Sequence, residues 1–249
     1  MHHLHRAVVL LAATAVLTAC ASPDDWSRPR PVPPPIGVLG PGFTDPSAPP
    51  TPEAVVTPSP GSWSAVRPPA GYRVVLLTTP AGAATAPAAG AATDTDAAPA
   101  AGADAASADD ADVTSADDAD APTAALAEAV REWASAEDVS LKTVTADVTK
   151  PVDAIVDAME LRPDLIVSAG DALIEPLALV SPSHLDQQFL VMGARIPEPT
   201  VNVTAVDWTG TPSAASPQSF TPDRCAAAIR AGTAAVLHDL TGIVLWLAP

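Results

Sequence analysis

Short apolar segments recur along the chain from residue 72 to its end. Six of them are rich in Val, Ile and Leu and predict β-strands: YRVVLLTT, SLKTVTADV, PDLIVSAG, QQFLVMGA, VNVTAVDW and GIVLWLAP. Several are apolar at every position, which is typical of strands that are covered on both faces of a sheet.

Segments with helical periodicity lie between the predicted strands. Two sets of apolar residues recur at the spacing of one helix face: Leu126, Val130 and Trp133, then Val152, Ile155, Val156 and Met159. A further helix is predicted in TPDRCAAAIRAGTAAVLHDLTG, where Thr221 can cap, Pro222 suits the first turn and Gly242 can close the end. Strands that alternate with helices predict an α/β fold with a mainly parallel, doubly wound sheet.

The N-terminus has the pattern of a bacterial lipoprotein signal. MHHLHR is short and basic, AVVLLAATAVL is apolar but too short to span a bilayer, and LTAC matches a lipobox. The alternative is a chance cysteine after an ordinary signal. We expect a signal peptide over residues 1–19, diacylation of Cys20 and removal of the signal. Because two acyl chains hold a protein stably on a membrane, we expect a protein lipid-anchored to the extracytoplasmic face of the cell membrane.

Two low-complexity segments flank the first predicted strand. Residues 20–70 are rich in proline, which fixes φ and donates no N–H, so they predict a semi-extended tether. A proline-rich ligand for a partner domain is the alternative. Residues 81–121 are rich in Ala and Asp and predict a disordered acidic insertion into an α/β domain that spans residues 71–249. A Ca²⁺ loop is the other hypothesis, although DDADVTSADDAD lacks the Gly and final Glu of an EF-hand.

Charge and motifs exclude several classes of function. The formal net charge is −17, and the only lysines are Lys142 and Lys150, so the chain lacks the cations that nucleic acids require. If Cys20 carries lipid, Cys225 has no partner for a disulfide, and its apolar helix face predicts a buried thiol rather than a reactive one. No P-loop, G-x-G-x-x-G, G-x-S-x-G or metal-spaced Cys/His set occurs. We therefore expect no cofactor, no metal and no enzymatic activity.

Candidate binding residues follow from the ends of two predicted strands, because open parallel sheets bind ligands beyond the carboxyl ends of their strands. Gly170 and Asp171 end DLIVSAGD, and Asp207 and Trp208 end VNVTAVDW. A glycine allows close approach of a ligand and a carboxylate accepts hydrogen bonds from hydroxyl groups. The alternatives are that Asp171 caps the next helix and that Trp208 covers the sheet edge.

Two further residues carry weaker signals. His184 in SPSHLDQQ has the pattern of a surface histidine. Pro176 would interrupt a helix begun at Asp171, which favours a helix start near Pro176.

The segments MELRPDLIVSAGDALIEPLALVSPSHLDQQFLVMGA, VNVTAVDW and RAGTAAVLHDLTGIVLWL together resemble the basic membrane protein family. Members are lipoprotein substrate-binding components of ABC transporters with the type I periplasmic-binding fold, and several bind purine nucleosides. The order of elements and the motif Ala231-Gly232-Thr233-Ala234-Ala235 carry the resemblance. It implies a nucleoside-like or other small solute, an ABC permease as partner and ligand-binding roles for Gly170 and Asp171.

The chain also departs from that family. The Ala/Asp-rich run stands where the family has a ligand loop, and FLVMGA ends in Gly193-Ala194 where the family has an acidic residue. GIVLWLAP ends about where a second lobe would begin, which predicts a single lobe. Two functions stay open: a solute-binding lipoprotein, degenerate in its ligand loop, and an envelope interaction lipoprotein that keeps the fold and binds no small ligand.

Overall fold

The computed structural model of the chain describes residue 26 and residues 34–80, 116–211 and 216–248. The predicted signal peptide, the lipidation site Cys20 and residues 81–115 of the predicted insertion lie outside the described residues.

A single seven-stranded sheet organises the described residues. Its strands run in the order β1-β7-β6-β5-β4-β2-β3, and every neighbouring pair is parallel. The strand bounds are Val55–Val56 (β1), Arg73–Thr78 (β2), Ser140–Thr145 (β3), Leu165–Ala169 (β4), Phe189–Met192 (β5), Val203–Trp208 (β6) and Val244–Leu247 (β7). All six strands predicted from the apolar segments are present, and the predicted parallel α/β fold is confirmed.

Helices cover both faces of this sheet. Their bounds are Ala116–Ala136 (α1), Pro151–Glu160 (α2), Ile174–Val180 (α3) and Pro222–Leu237 (α4), with short 3-10 turns at Ser181–Ser183 and Pro217–Ser219. One apolar cluster joins α1 and α4 to the sheet, and a second joins α2 and α3 to the opposite face. The sheet is therefore doubly wound, as predicted. Helix α1 begins at Ala116, inside the segment predicted as insertion, and includes Pro122.

The connection from β5 to β6 differs from the predicted alternation of strands and helices. Residues 193–202, all of which the structure describes, contain no helix. Ala194 and Ile196 from this connection are buried in the cluster that α2 and α3 form. Pro197 and Pro199 explain the irregular backbone, because proline fixes φ and supplies no helical N–H.

One glycine, Gly232, allows the backbone of helix α4 to contact side chains of the sheet closely. A Cβ atom at Gly232 would lie 2.5 Å from Leu190 Cδ1 and 2.9 Å from Val206 Cγ2. The predicted apolar face of this helix is confirmed by the burial of Cys225, Ile229 and Val236. The predicted cap is also present, since the Thr221 side chain accepts a hydrogen bond from the Arg224 N–H.

The prediction of a free tether is wrong for residues 34–70, which pack on the domain and are here named the N-terminal strap. Strand β1 lies within the strap and pairs with β7 at the edge of the sheet. Phe43 is 1% exposed in the core, and Ile36 and Arg67 exchange backbone hydrogen bonds of 3.0 and 2.8 Å. The high proline content predicted an extended segment, but proline is compatible with pairing at a sheet edge, where Val55 and Val56 form few hydrogen bonds. Scattered apolar side chains attach the other strap residues to the domain.

Candidate functional site

A cleft of about 680 Å³ lies at the carboxyl edge of the sheet and is here named the carboxyl-edge cleft. Its walls come from the segments that follow β4 and β5 and from the ends of β6 and β7. Four side chains determine its chemistry: Asp171, Arg195, Asp207 and Trp246. Open parallel sheets bind ligands at this edge, so the position of the cleft agrees with the general rule.

An ion pair between Arg195 and Asp207 forms the wall between β5 and β6. Arg195 Nε donates a hydrogen bond of 3.1 Å to Asp207 Oδ2, and Arg195 Nη2 lies 3.0 Å from the same oxygen. The Asp207 side chain is 6% exposed, whereas that of Arg195 is 46% exposed. The guanidinium is thereby held at the mouth of the cleft by a buried carboxylate.

The second oxygen of Asp207 is also used within the protein. Oδ1 accepts hydrogen bonds from the Trp208 N–H, at 2.9 Å, and from the Thr211 hydroxyl. The Thr211 N–H and hydroxyl both also lie within hydrogen-bond distance of the Trp208 carbonyl, which closes a turn at Gly210. The carboxylate of Asp207 therefore shapes the cleft and has no oxygen left for a direct bond to a ligand.

Trp208 contributes to the cleft wall, but its ring is buried. It is 1% exposed, packs edge to face on Phe220 at 5.0 Å between ring centroids and donates through Nε1 to Ser219 Oγ at 3.2 Å. The ring that reaches the cleft is Trp246, which is partly exposed and has Arg195 Cζ 5.9 Å from its centroid. Trp246 is therefore the aromatic surface available for stacking.

Asp171 lines the cleft from the other side. It is partly exposed, and no described residue donates a hydrogen bond to its carboxylate. The capping alternative is not observed: α3 begins at Ile174, its N-cap is Leu173, and no side chain caps it. Only the backbone carbonyl of Asp171 contributes, by accepting from the Ile174 N–H at 3.1 Å. The carboxylate is thus available for a ligand.

Gly170 positions Asp171 through its backbone. Its φ is +84°, and a Cβ there would lie 2.9 Å from Thr123 Oγ1 of α1. The Gly170 N–H donates to the Met192 carbonyl at 2.9 Å, which ties the ends of β4 and β5 together. A residue with a side chain would strain this turn, so glycine is required for the shape of the cleft wall.

The structure brings together most of the residues that the sequence singled out, and adds two. Asp171, Asp207 and Trp208 line one cleft, and Gly170 directly precedes its wall. Arg195 and Trp246 were not predicted from the sequence, although Arg195 directly follows one predicted strand and Trp246 lies near the carboxyl end of another. His184 is exposed and is not among the residues that line the cleft. Cys225 is buried, and burial raises the pKa of its thiol to about 11.

The described residues contain neither a metal-binding cluster nor a membrane-spanning helix. Among residues 26, 34–80, 116–211 and 216–248, no group of three or more His, Cys, Asp and Glu side chains could hold a metal ion. Within the same part of the chain, no helix is both long and apolar enough to cross a membrane.

Solved structures share part of this architecture. The chain is similar to a solute-binding protein of an ABC transporter system from Aeropyrum pernix (18% identity, TM-score 0.37), covering 56% of this chain and 29% of that one. It is also similar to such a protein from Conexibacter woesei (17% identity, TM-score 0.35), covering 55% of this chain and 35% of that one. A third is a fragment of a proposed lipoprotein from Peptoclostridium difficile (12% identity, TM-score 0.41), covering 68% of this chain and 99% of that one.

These likenesses are partial. The chain spans about a third of the length of the two solute-binding proteins. No protein-family model matches the chain, and no curated protein matches its sequence.

Proposed function

We propose that this chain is a lipid-anchored, extracytoplasmic solute-binding module that takes a small polar solute in the carboxyl-edge cleft. The observation that carries the proposal is the cleft of about 680 Å³, with the Arg195–Asp207 ion pair on one wall and an available carboxylate on the other. Volumes of about 300–1,000 Å³ are typical of small-ligand sites. The LTAC segment supports the anchor, and delivery to an ABC permease is the step that the sequence resemblance implies.

The charges in the cleft favour a neutral or cationic solute over an anionic one. Arg195 and Asp207 neutralise each other, so Asp171 leaves the cleft with an excess of negative charge. A carboxylate accepts hydrogen bonds from hydroxyl or ammonium groups, and the Trp246 ring offers a flat apolar surface. A neutral or cationic solute with hydroxyl groups and a planar part, such as a nucleoside, fits this chemistry better than an anion does.

The second candidate is an interaction protein that binds no small solute. The observation that favours it is that Asp207 and Trp208 are both committed inside the protein. Two of the four predicted ligand residues therefore present no free polar group to the cleft. On this alternative the ion pair only stabilises the sheet edge.

A thermal-shift screen of the full chain separates the two candidates. The probes are free nucleosides, the corresponding nucleoside monophosphates and neutral sugars. A ligand that binds only the folded state at 100 times its Kd stabilises the protein by about 2.7 kcal/mol, which is a readily measured rise in Tm. We expect a rise with nucleosides and a smaller one with the anionic monophosphates. No rise with any probe class would contradict the binding proposal and favour the interaction protein.

A further inference from the structure

Trp26 is fixed to the folded domain, although it lies in the segment predicted as a free tether. Its side chain is 4% exposed, and its Nε1 donates a hydrogen bond of 3.1 Å to Ser140 Oγ. Lys142 Nζ lies 4.4 Å from the centre of the ring and Arg73 Cζ lies 5.8 Å from it. A buried indole with a satisfied N–H and two cations over its face is a firm attachment.

The attachment point lies where the strands begin, at the side of the sheet formed by their amino ends, which is here named the amino edge. Ser140 and Arg73 are the first residues of β3 and β2, and β3 is one of the two edge strands. Trp26 belongs to the cluster that α2 and α3 form on one face. The carboxyl-edge cleft is at the other end of the strands, and a strand of six residues spans about 20 Å. Trp26 and the cleft are therefore at opposite edges of the domain.

The length of chain before Trp26 limits how far the domain can stand from a lipid anchor. Cys20 precedes Trp26 by six residues. Six residues span at most about 20 Å when fully extended. A free tether over residues 20–70 could instead extend to roughly 150 Å. Because the N-terminal strap already packs on the domain from residue 34 onward, docking of Trp26 shortens the chain between Cys20 and its first attachment from about 14 residues to six, and it fixes the side of the domain from which the chain leaves.

We propose that the amino edge of the sheet, beside Trp26 and β3, is the surface that faces the lipid bilayer. The inference rests on the lipid anchor of the proposed function. The cleft then opens away from the membrane, so that a solute or a partner protein reaches it from the aqueous side. The partner of the amino edge is the bilayer surface itself, brought within about 20 Å by the short chain between Cys20 and Trp26.

Fluorescence quenching in vesicles measures this orientation. The full-length lipidated protein is inserted into vesicles of phosphatidylethanolamine and phosphatidylglycerol that carry a quencher on their headgroups. One fluorophore is placed on Glu160→Cys, at the exposed end of α2 on the amino edge, or on Thr209→Cys, at the exposed carboxyl edge. Native Cys225 is buried and is not labelled. We expect quenching at position 160 to exceed that at position 209 by about twofold or more.

Variants of Trp26 test whether this residue sets the orientation. Trp26→Ala should bring the two quenching values close together, because the domain would be free to turn on a longer chain. Trp26→Phe should retain most of the difference, since the ring packing and the cations remain while the bond to Ser140 is lost. Equal quenching at the two positions in the unchanged protein, or stronger quenching at position 209, would overturn the proposal.

A Cys20→Ala variant separates failure of the orientation from failure of the anchor. Loss of quenching at both positions in this variant supports attachment through Cys20. If quenching persists without Cys20, the anchor and the distance argument are both wrong. If the variant detaches but the unchanged protein shows no difference between positions 160 and 209, the anchor stands and the orientation alone is overturned.

Discussion

Arg195 directs both Nε and Nη2 toward a single oxygen of Asp207, at 3.1 and 3.0 Å. The carboxylate is buried and its other oxygen accepts from the Trp208 N–H and the Thr211 hydroxyl, so four donors surround one side chain. The pair joins the segment after β5 to the end of β6. It thereby converts two neighbouring strand ends into one wall of the carboxyl-edge cleft.

Asp207→Asn should destabilise the protein and disorganise this wall. An amide can accept only part of the present hydrogen bonds and leaves Arg195 without its counter-charge, so we expect a loss of about 1–3 kcal/mol in the free energy of unfolding. The value should lie toward the lower end because Arg195 is partly exposed to solvent. Urea unfolding measures it, with the exposed Asp186→Asn as control. Equal stability of the two variants would contradict the role given to the pair.

A second prediction concerns the attachment of the N-terminal strap. The Glu137 side chain is 8% exposed and accepts from Arg67 of the strap at 2.6 Å and from Arg230 of α4 at 2.9 Å. Glu137→Gln should cost about 1–3 kcal/mol, because two cations lose a nearly buried partner. Glu128→Gln is the matched control, since its bond to Arg131 is exposed and should be worth at most about 1 kcal/mol. Equal losses in urea unfolding would refute a special role for Glu137.

The central strands could be predicted because their burial dictates their composition. A strand that is covered on both faces is apolar at every position, and β4 and β5 are fully buried. Strand β1 could not be predicted in the same way. Val55 and Val56 are only two residues, their partner β7 is distant in the sequence, and prolines surround them. A pairing of this kind depends on tertiary contacts rather than on local pattern.

The positions of the candidate residues could be predicted, but their contacts could not. Parallel strands place their carboxyl ends at one edge, and Asp171 and Asp207 lie there, where both line the carboxyl-edge cleft. The pairing of Arg195 with Asp207 depends on the register of β5 and β6, where Met192 stands beside Val206. Which tryptophan reaches the cleft depends on Phe220, which packs against Trp208. Neither the Arg195–Asp207 ion pair nor the packing of Phe220 on Trp208 produces a recognisable pattern in the sequence around these residues.

A third prediction concerns pH. Burial raises the pKa of the Cys225 thiol to about 11, from an ordinary value of 9.0. Because the folded state resists ionisation, the contribution of Cys225 to stability is full below about pH 9 and is lost as the pH rises toward 11. A difference of this size corresponds to roughly 3 kcal/mol. Urea unfolding at several pH values should show this decline, and Cys225→Ala should remove it. The same decline in the alanine variant would assign the effect to other groups.

Gly232→Ala should destabilise the packing of α4 on the sheet. The added methyl group would lie 2.5 Å from Leu190 and 2.9 Å from Val206, both of which are buried. Overpacking of this kind costs about 1–3 kcal/mol, which exceeds the gain of up to about 1 kcal/mol in helix propensity. A lowered Tm checks the prediction. Ala227→Gly, at a less buried position of the same helix, should lower Tm through propensity alone. A raised Tm for Gly232→Ala would show that α4 can shift outward without cost.

The last prediction tests the carboxylate that the fold leaves available. Asp171→Ala should weaken the binding of any solute found in the thermal-shift screen by about 10- to 150-fold, since a hydrogen bond to a charged group is worth about 1.5–3 kcal/mol. Its effect on the free energy of unfolding should be small, because no described residue donates to this carboxylate and α3 begins without a side-chain cap. Glu175→Ala removes an exposed carboxylate from the first turn of the same helix and should leave affinity unchanged. Calorimetric titration gives the affinities and urea unfolding the stabilities. If Asp171→Ala lowers stability and leaves affinity intact, Asp171 supports the fold and does not contact the solute.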